Sequence, residues 1–409
     1  MNAREFAEDV VEKLNAAGFQ AYWAGGCVRD HLLGIQPSDF DIATSAHPEQ
    51  IRRLFGNHRT LPVGAAFGVI IVLGPDRKTQ VEVATFRSDA AYSDGRRPDY
   101  VTFSTPQLDA LRRDFTINGM FYDPLTKSVI DFVGGQADLQ RRVVRAIGNA
   151  WDRIREDKLR MLRAVRIAAR FEFEIEDETY QVICNHSSEA SSVSGERLWV
   201  ELQKTLDTAA AAWAVRTWAD TGLLRVLLPE VADAWNRQGC AERTLRMLGC
   251  PSHISWLGRL GGLLWSAVGD KRHETVSRLK DRLRFSNDQE AALRFALASQ
   301  EALSVAEQSN WSQVQPWLIS PWIKTAIELL AQRIEIGQAS QSTLDWLSER
   351  LDWPASNLDP PPLLNGQDLI EAGYPASPLF KDWLFQVRCH QLDGNLTTKE
   401  QALQFLQSQ

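Results

Sequence analysis

The sequence lacks the features that would assign it to a membrane or to a secreted, disulfide-bonded scaffold. Its 409 residues contain only five cysteines, an odd number with no C-x-x-C pair. This pattern predicts neither a disulfide framework nor a zinc site, and it favours a reducing, cytoplasmic location. No apolar run approaches membrane-spanning length, and the start, M-N-A-R-E-F-A-E-D-V-V, has the spacing of an amphipathic helix rather than of a signal peptide. We therefore expect no membrane partner.

An excess of positive charge is also missing, because the formal net charge is −7. Averaged over the chain, this acidity argues against a nucleic-acid partner, but binding depends on where the basic residues lie. The chain is too long for one ordinary core, so about two to four domains are expected.

The first informative stretch is W-A-G-G-C-V-R-D-H-L-L-G, which begins at Trp23. Gly25 and Gly26 form a glycine turn that opens a predicted short helix over Val28–Leu33. The free backbone N–H groups at such a helix start can hold an anion. The stretch therefore predicts a phosphate-binding turn.

A carboxylate pair follows in D-F-D-I-A-T, which reads as a strand. Alternation along a strand directs Asp39 and Asp41 to one face, while Phe40 and Ile42 enter the core. Paired carboxylates suit Mg²⁺, which completes its coordination with substrate phosphates. The pattern predicts phosphate, metal and carboxylates in one site.

G-G-x-V-R-D followed by D-x-D-I-A-T resembles the class II tRNA nucleotidyltransferase and bacterial poly(A) polymerase family, a branch of the DNA polymerase β-like superfamily. A lone G-G or D-x-D would indicate an ordinary turn or a solvated pair, but here both occur in order at close spacing. The resemblance implies an α/β nucleotidyltransferase head followed by an all-helical neck, body and tail. The expected domains are a catalytic head over 1–145, a neck over 146–215 that contacts base and RNA, a body over 216–353 and a tRNA-binding tail over 354–409.

Further motifs support this resemblance and assign roles within the head. L-R-R-D-F-T-I-N matches the family's R-R-D-F-T-x-N, so Arg112 and Arg113 are expected to bind phosphate oxygens. Asp114 and Asn118 are expected to orient that segment or to contact the ribose. With these arginines, the resemblance implies that Gly25, Gly26 and Arg29 hold the triphosphate.

Glu82 lies between Val81 and Val83 in the second strand of a predicted hairpin, V-G-A-A-F-G-V-I-I-V-L and Q-V-E-V-A-T-F joined by G-P-D-R-K. An acid in this position either faces water or joins the metal site. Because a third carboxylate on a neighbouring strand is common in the superfamily, Glu82 is the candidate. The following segment, with Gly95 and Pro98, is predicted to be the family's flexible loop, or else an ordinary exposed connection.

The run E-D-K-L-R-M-L-R-A-V-R is predicted to be one helix with Asp157, Arg160, Arg163 and Arg166 on neighbouring turns. Without the resemblance, a basic face held in salt bridges would be the better interpretation. The family's E-D-x-x-R motif reads the base, so Asp157 and Arg160 are expected to recognise the Watson–Crick edges of C and A. Arg163 and Arg166 are expected to contact phosphate or RNA, and the later pair Glu196 and Arg197 to brace the motif helix.

The resemblance implies an enzyme that adds CCA to tRNA 3′ ends from CTP and ATP without a template, with two Mg²⁺ ions and release of pyrophosphate. Asp39 and Asp41 are the expected metal ligands. Poly(A) polymerase activity and A-only addition remain alternatives, since these enzymes share every motif above. The absence of a basic cluster after the D-x-D strand and at the C-terminus favours CCA addition. The sequence does not give the oligomeric state.

Overall fold

The structure is a computed structural model that describes residues 2–89, 100–250 and 253–408. It divides into two compact units. The first comprises Met1–Glu201, Thr208–Ala210 and Arg216–Leu227, and the second comprises Leu202–Asp207, Ala211–Val215 and Leu228–Gln409. Within the described part of the chain, no helix has the length and apolarity needed to cross a membrane.

A mixed seven-stranded sheet forms the centre of the first unit. The strands of the described chain are β1 (Ala21–Ala24), β2 (Asp41–Thr44), β3 (Thr60–Gly64), β4 (Val69–Leu73), β5 (Gln80–Thr85), β6 (Arg87–Asp89), β7 (Val101–Phe103), β8 (Phe121–Asp123), β9 (Ser128–Ile130), β10 (Val143–Val144) and β11 (Glu174–Ile175). The large sheet has the order β3-β4-β5-β2-β1-β8-β9, while β6 pairs with β7 and β10 with β11. Within the large sheet, β2 and β5 are parallel and the other neighbouring strands are antiparallel.

The first eight helices belong to the first unit: α1 (Ala3–Ala16), α2 (Gly26–Leu32), α3 (Pro48–Phe55), α4 (Pro106–Leu111), α5 (Gly135–Arg141), α6 (Ala150–Glu156), α7 (Leu159–Phe171) and α8 (Asp177–His186). Helix α1 starts at an Asn2 capping box and buries Phe6, Val10 and Leu14, as the apolar spacing predicts. The predicted α/β head with helices following it is confirmed.

The remaining helices are, in chain order, α9 (Gly195–Leu206), α10 (Ala211–Thr221), α11 (Leu223–Leu227), α12 (Pro229–Trp235), α13 (Cys240–Leu248), α14 (Trp256–Val268), α15 (Arg272–Leu283), α16 (Asn287–Ala298), α17 (Gln300–Ser304), α18 (Trp311–Leu318), α19 (Ile323–Glu335), α20 (Gln341–Leu351), α21 (Ala355–Leu358), α22 (Gly366–Glu371), α23 (Phe380–Leu392) and α24 (Lys399–Gln407). Of these helices, α9 and α10 contribute residues to both units, α11 belongs to the first, and α12 to α24 belong to the second. The last three helices contribute to a separate small core around Leu369, Val387 and Leu406. The four-domain division stays a prediction.

Three local predictions need correction. The segment 63–73 is not one strand, because a 3-10 turn over Ala65–Phe67 separates β3 from β4. The predicted flexible loop carries short paired strands, β6 and β7, at its two ends. Its centre, 90–99 with Gly95 and Pro98, lies outside the described residues. Asp157 does not lie on a helix with Arg160: it has extended φ/ψ angles of −148° and 102° between α6 and α7.

Candidate active site

The carboxylates Asp39, Asp41 and Glu82 lie on one exposed face of the central sheet. Asp41 on β2 is directly opposite Glu82 on β5, and Asp39 lies two residues before the start of β2. All three acids are exposed, whereas Phe40 and Ile42 are buried between them. The alternation predicted from D-F-D-I is therefore present. The parallel pairing of β2 with β5 is what brings Glu82 to this face.

The electrostatics of this face favour a bound cation. The pKa of the Asp41 carboxyl is raised to about 6 by desolvation first and by the Glu82 charge second, while Arg113 opposes the shift and Asp39 adds to it. A divalent cation would relieve this repulsion. No group of three or more potential ligands among His, Cys, Asp and Glu is arranged to hold a metal within the described ranges. The oxygen donors of Asp39 and Asp41 fit an ion that is held by one or two carboxylates and completed by substrate oxygens.

The predicted phosphate-binding turn lies at the start of α2. Gly25 is the N-cap residue with φ of +75°, a conformation that side chains rarely adopt. A Cβ at Gly25 would lie 3.1 Å from Nη1 of Arg113, and one at Gly26 would lie 3.4 Å from Nη2 of Arg29. The helix begins at Gly26, earlier than predicted. Glycine at both positions thus allows two guanidinium groups to approach the backbone.

Arg112 and Arg113 both donate hydrogen bonds to Asp109, a residue that was not among the sequence predictions. Asp109 on α4 is 1% exposed. One of its oxygens accepts two hydrogen bonds from Arg112 and the other accepts two from Arg113. The available signal was its spacing of three and four residues from these arginines on a helix. Arg113 also stacks on Phe121, with 5.2 Å between its Cζ and the ring centroid.

Arg29 is buried and bonded within the protein. It is 6% exposed, its Nε and Nη2 donate to Asp30, and its Nη1 donates to Asn118 at 2.6 Å. Burial lowers the pKa of the guanidinium, while the Asp30 charge opposes this shift. Its predicted contact with the triphosphate stays a prediction. In this structure it links α2 to the R-R-D-F-T-I-N segment.

Asn118 continues this link to helix α7. Its Nδ2 donates to Asp114 at 3.1 Å, and Asp114 accepts two further bonds from Arg163 at 2.9 and 2.5 Å. Although burial alone would raise it, the pKa of the Asp114 carboxyl lies well below its usual range, because Arg163 and these bonds stabilise the charged form. A continuous chain of contacts, Asp30–Arg29–Asn118–Asp114–Arg163, thus joins the glycine turn to α7, and its members are buried except for the half-buried Arg163. The predicted orienting role of Asp114 and Asn118 agrees with these contacts.

The two predicted base-reading residues are held by separate partners. One Asp157 oxygen accepts from the backbone N–H of Leu159, the first residue of α7, at 3.1 Å, and the other accepts from Arg197 at 2.7 Å. Arg160 donates to Glu156 and to the carbonyl of Arg153. The contact from Arg197 matches the predicted bracing role, whereas Glu196 is exposed.

The other arginines of α7 also hold carboxylates. Arg163 pairs with Asp114, and Arg166 pairs with Glu201 at 2.6 Å. Both arginines that were predicted to contact RNA therefore form ion pairs within the protein, and their contact with RNA stays a prediction.

The sequence of this chain is similar to family models and to known proteins along most of its length. The "Poly A polymerase head domain" model matches residues 21–145, and the "Probable RNA and SrmB- binding site of polymerase A" model matches residues 172–234. The CCA-adding enzyme of Latilactobacillus sakei is 33% identical over 387 residues, or 92% of this chain and 91% of that protein. That of Geobacillus thermodenitrificans is 32% identical over 402 residues, or 96% and 94%.

Among solved structures, the Bacillus stearothermophilus CCA-adding enzyme in complex with CTP superposes with a TM-score of 0.81 at 27% identity, covering 100% of this chain and 98% of that one. The similarity in sequence and in fold therefore extends over nearly the whole length of both proteins. With its α/β head, its carboxylate face and its glycine turn, this chain belongs to the family of CCA-adding enzymes, which are tRNA nucleotidyltransferases.

Proposed function

We propose that this protein adds C, C and A to the 3′ end of tRNA from CTP and ATP, with release of pyrophosphate. The observation that carries the proposal is the convergence of Asp41, Glu82 and Arg113 beside the Gly25 turn. This arrangement offers oxygen ligands for a cation and a guanidinium for phosphate next to each other. The choice of CCA is supported by relatives that are CCA-adding enzymes along nearly their whole length.

Asp39 and Asp41 would hold Mg²⁺, two ions being expected, and Glu82 is the candidate for a further contact. When bound, Mg²⁺ would favour ionisation of the RNA 3′-hydroxyl and neutralise charge on the triphosphate. The protein's own part is to bind and orient. The triphosphate is held by Arg112, Arg113 and the Gly25–Gly26 turn. Arg29 supports this turn through its position next to Gly26.

Base choice is assigned to Asp157 and Arg160. A carboxylate accepts from the exocyclic amine of C or A, and a guanidinium donates to a ring nitrogen or carbonyl. Both side chains would exchange present partners for the base: Asp157 is bonded to Arg197 and Arg160 to Glu156. Arg163 and Arg166 would contact RNA only if their carboxylates release them.

The four-domain division belongs to the same proposal, with the head over 1–145, the neck over 146–215, the body over 216–353 and the tail over 354–409. The tail would bind tRNA. A cytoplasmic location belongs to the proposal as well, and the cysteine pattern supports it.

The deciding experiment is nucleotide incorporation into tRNA transcripts that end before CCA, after C and after CC, each offered CTP, ATP or both. We expect addition that stops at the final A. Addition of A alone to the CC-ended transcript would instead identify an A-adding enzyme. An unstructured oligoadenylate serves as the control for poly(A) polymerase activity. This activity is the second candidate because residues 21–145 match a poly(A) polymerase head domain. Long A tails on the oligoadenylate would overturn the proposal.

Asp41→Ala tests the metal assignment. We expect it to abolish addition while tRNA affinity stays within about twofold, because the exposed carboxylate contacts metal rather than RNA. Glu12→Ala on the exposed face of α1 is the matched control and should leave the rate unchanged. Substantial turnover by Asp41→Ala would exclude this carboxylate as an essential metal ligand.

A further inference from the structure

Asp109 is a buried acid that contacts both arginines of the proposed triphosphate site. It lies on α4, outside the glycine turn and the carboxylate face, and is 1% exposed. Its Oδ1 accepts from Nε and Nη2 of Arg112 at 2.9 and 2.7 Å, and its Oδ2 accepts from Nε and Nη2 of Arg113 at 3.2 and 2.8 Å. Each guanidinium is thus held along its Nε–Nη2 edge by a separate oxygen, and two charge-assisted hydrogen bonds restrict the orientation of each.

The two hydrogen bonds from Arg113 to Asp109 determine the direction of the third guanidinium nitrogen, Nη1. Asp109 binds Nε and Nη2, so Nη1 is left, and this atom is 3.1 Å from the position of a Cβ on Gly25. The Phe121 ring supports the guanidinium from a third direction. The charge of Arg113 also opposes the rise in the pKa of Asp41 on the carboxylate face.

A charge count supports a role beyond packing. Asp109 supplies one negative charge against the two positive charges of Arg112 and Arg113, so it does not neutralise both guanidiniums. Without the carboxylate, two adjacent cations would repel each other and rotate apart. Although burial opposes ionisation, both arginines hold the pKa of Asp109 below its usual range, which keeps the acid charged.

Asp109 also connects this cluster to strand β6. Its Oδ1 accepts from the backbone N–H of Arg87 at 3.3 Å, where β6 begins. The position of the acid is therefore fixed by its own helix and by a neighbouring strand. Such support is what a side chain needs in order to orient others.

We propose that Asp109 is a positioning residue for nucleotide binding, which holds Arg112 and Arg113 in one orientation so that Nη1 of Arg113 meets the triphosphate beside the Gly25 turn. The inference rests on the proposed function and adds to it a residue that contacts neither substrate nor metal. The competing explanation is a structural ion pair that contributes to stability alone.

The test is Asp109→Asn in the full-length protein, measured by CTP binding and by steady-state addition to tRNA ending before CCA. The amide keeps the shape but supplies one acceptor oxygen instead of two, so one guanidinium loses its two hydrogen bonds to residue 109. We expect the Kd for CTP and the KM for CTP and ATP to rise by about tenfold or more, with the Kd for tRNA within about twofold. Glu230→Gln is the matched control, because Glu230 also lies between two arginines, Arg278 and Arg282, but in the second unit.

Combination with Arg113→Lys separates positioning from stability. Lysine keeps the charge and loses the fork, so Asp109→Asn should add little to the KM of the Arg113→Lys protein. Fully additive effects, or a KM unchanged by Asp109→Asn, would overturn the inference. If Asp109→Asn does not fold, Arg113→Lys alone decides, because an unchanged Kd for CTP would show that orientation of this guanidinium does not matter.

The two proposals fail in different ways. A wild-type protein that binds CTP but adds nothing to tRNA would refute the proposed function, while the CTP affinities would still test Asp109. Normal CCA addition together with normal CTP binding by Asp109→Asn would refute only the role of Asp109.

Discussion

Asn118 offers a sharp test of the buried chain that joins α2 to α7. It is the neutral link between two ion pairs, accepting from Arg29 at 2.6 Å and donating to Asp114 at 3.1 Å. Asn118→Ala removes both bonds and leaves the pairs Arg29–Asp30 and Asp114–Arg163 in place. The perturbation therefore measures the link itself.

The expected magnitude follows from two hydrogen bonds to charged partners. Each contributes roughly 1.5–3 kcal/mol, and Asn118 is only 7% exposed, so water replaces them poorly. Allowing for incomplete loss, we expect Asn118→Ala to lower the free energy of unfolding by about 3–5 kcal/mol. A domain of about 200 residues loses roughly 2–4 °C of Tm per kcal/mol, so the midpoint of the first unit should fall by about 10 °C.

The assay is calorimetric unfolding of the full-length protein, compared with Asn118→Asp at several pH values. The carboxylate introduced at position 118 would place an oxygen opposite the Asp114 carboxylate. Repulsion between the two should raise the folded-state pKa of the introduced acid. The penalty is then present at neutral pH and is relieved as the pH falls through that raised value, because the protonated acid can donate as the amide does. The Tm deficit of Asn118→Asp against wild type should therefore shrink between pH 8 and pH 5, whereas that of Asn118→Ala should stay constant.

A Tm change below about 2 °C for Asn118→Ala would refute the reasoning, since it would mean that the two bonds contribute nothing beyond what water supplies. A pH-independent deficit for Asn118→Asp would show that its side chain does not face Asp114.

Two further predictions concern base choice and helix packing. Arg160→Ala should relax the preference for C and A over U and G more than it weakens triphosphate binding, as measured by competing nucleotides, and unchanged selectivity would remove the base-reading role. On α14, Gly262→Ala should lower the free energy of unfolding by about 2 kcal/mol or more, since its Cβ would lie 2.2 Å from Oε1 of Gln332. Gly261→Ala is the matched control: its nearest neighbour is 3.7 Å away, so the gain in helix propensity should leave stability unchanged or up to about 1 kcal/mol higher.

The parts of the site that the sequence predicts are those set by local periodicity. The alternation in D-F-D-I fixes which acids face outward, and a glycine before a short helix fixes the turn at Gly25. The β4–β5 hairpin follows from two apolar strands around a turn-forming segment. These features depend on neighbours within a few residues, so a single chain carries the information.

The partners of the charged residues were not predictable in the same way. Arg29 meets Asn118 across 89 positions, and Arg163 meets Asp114 across 49. No periodicity connects positions so far apart in the sequence. The motifs therefore predicted ligand contacts for Arg29 and Arg163, whereas the fold pairs them with the amide of Asn118 and the carboxylate of Asp114. The break at Asp157 was missed for another reason: an aspartate before an apolar periodic run is a capping signal, and here its oxygen accepts from Leu159 at the start of α7.

These pairings change the meaning of the basic row on α7. Arg160 holds Glu156, Arg163 holds Asp114 and Arg166 holds Glu201, so each positive charge is balanced by an acid. A row balanced in this way contributes little net attraction for RNA, but it fixes α7 against the segments that carry those acids. If Asp157 and Arg160 read the base as proposed, they would do so from a rigid support, because the helix that carries Arg160 is tied through Asp114 and Asn118 to Arg29 beside the glycine turn. The proposed sites of base choice and of phosphate binding would then belong to one connected framework.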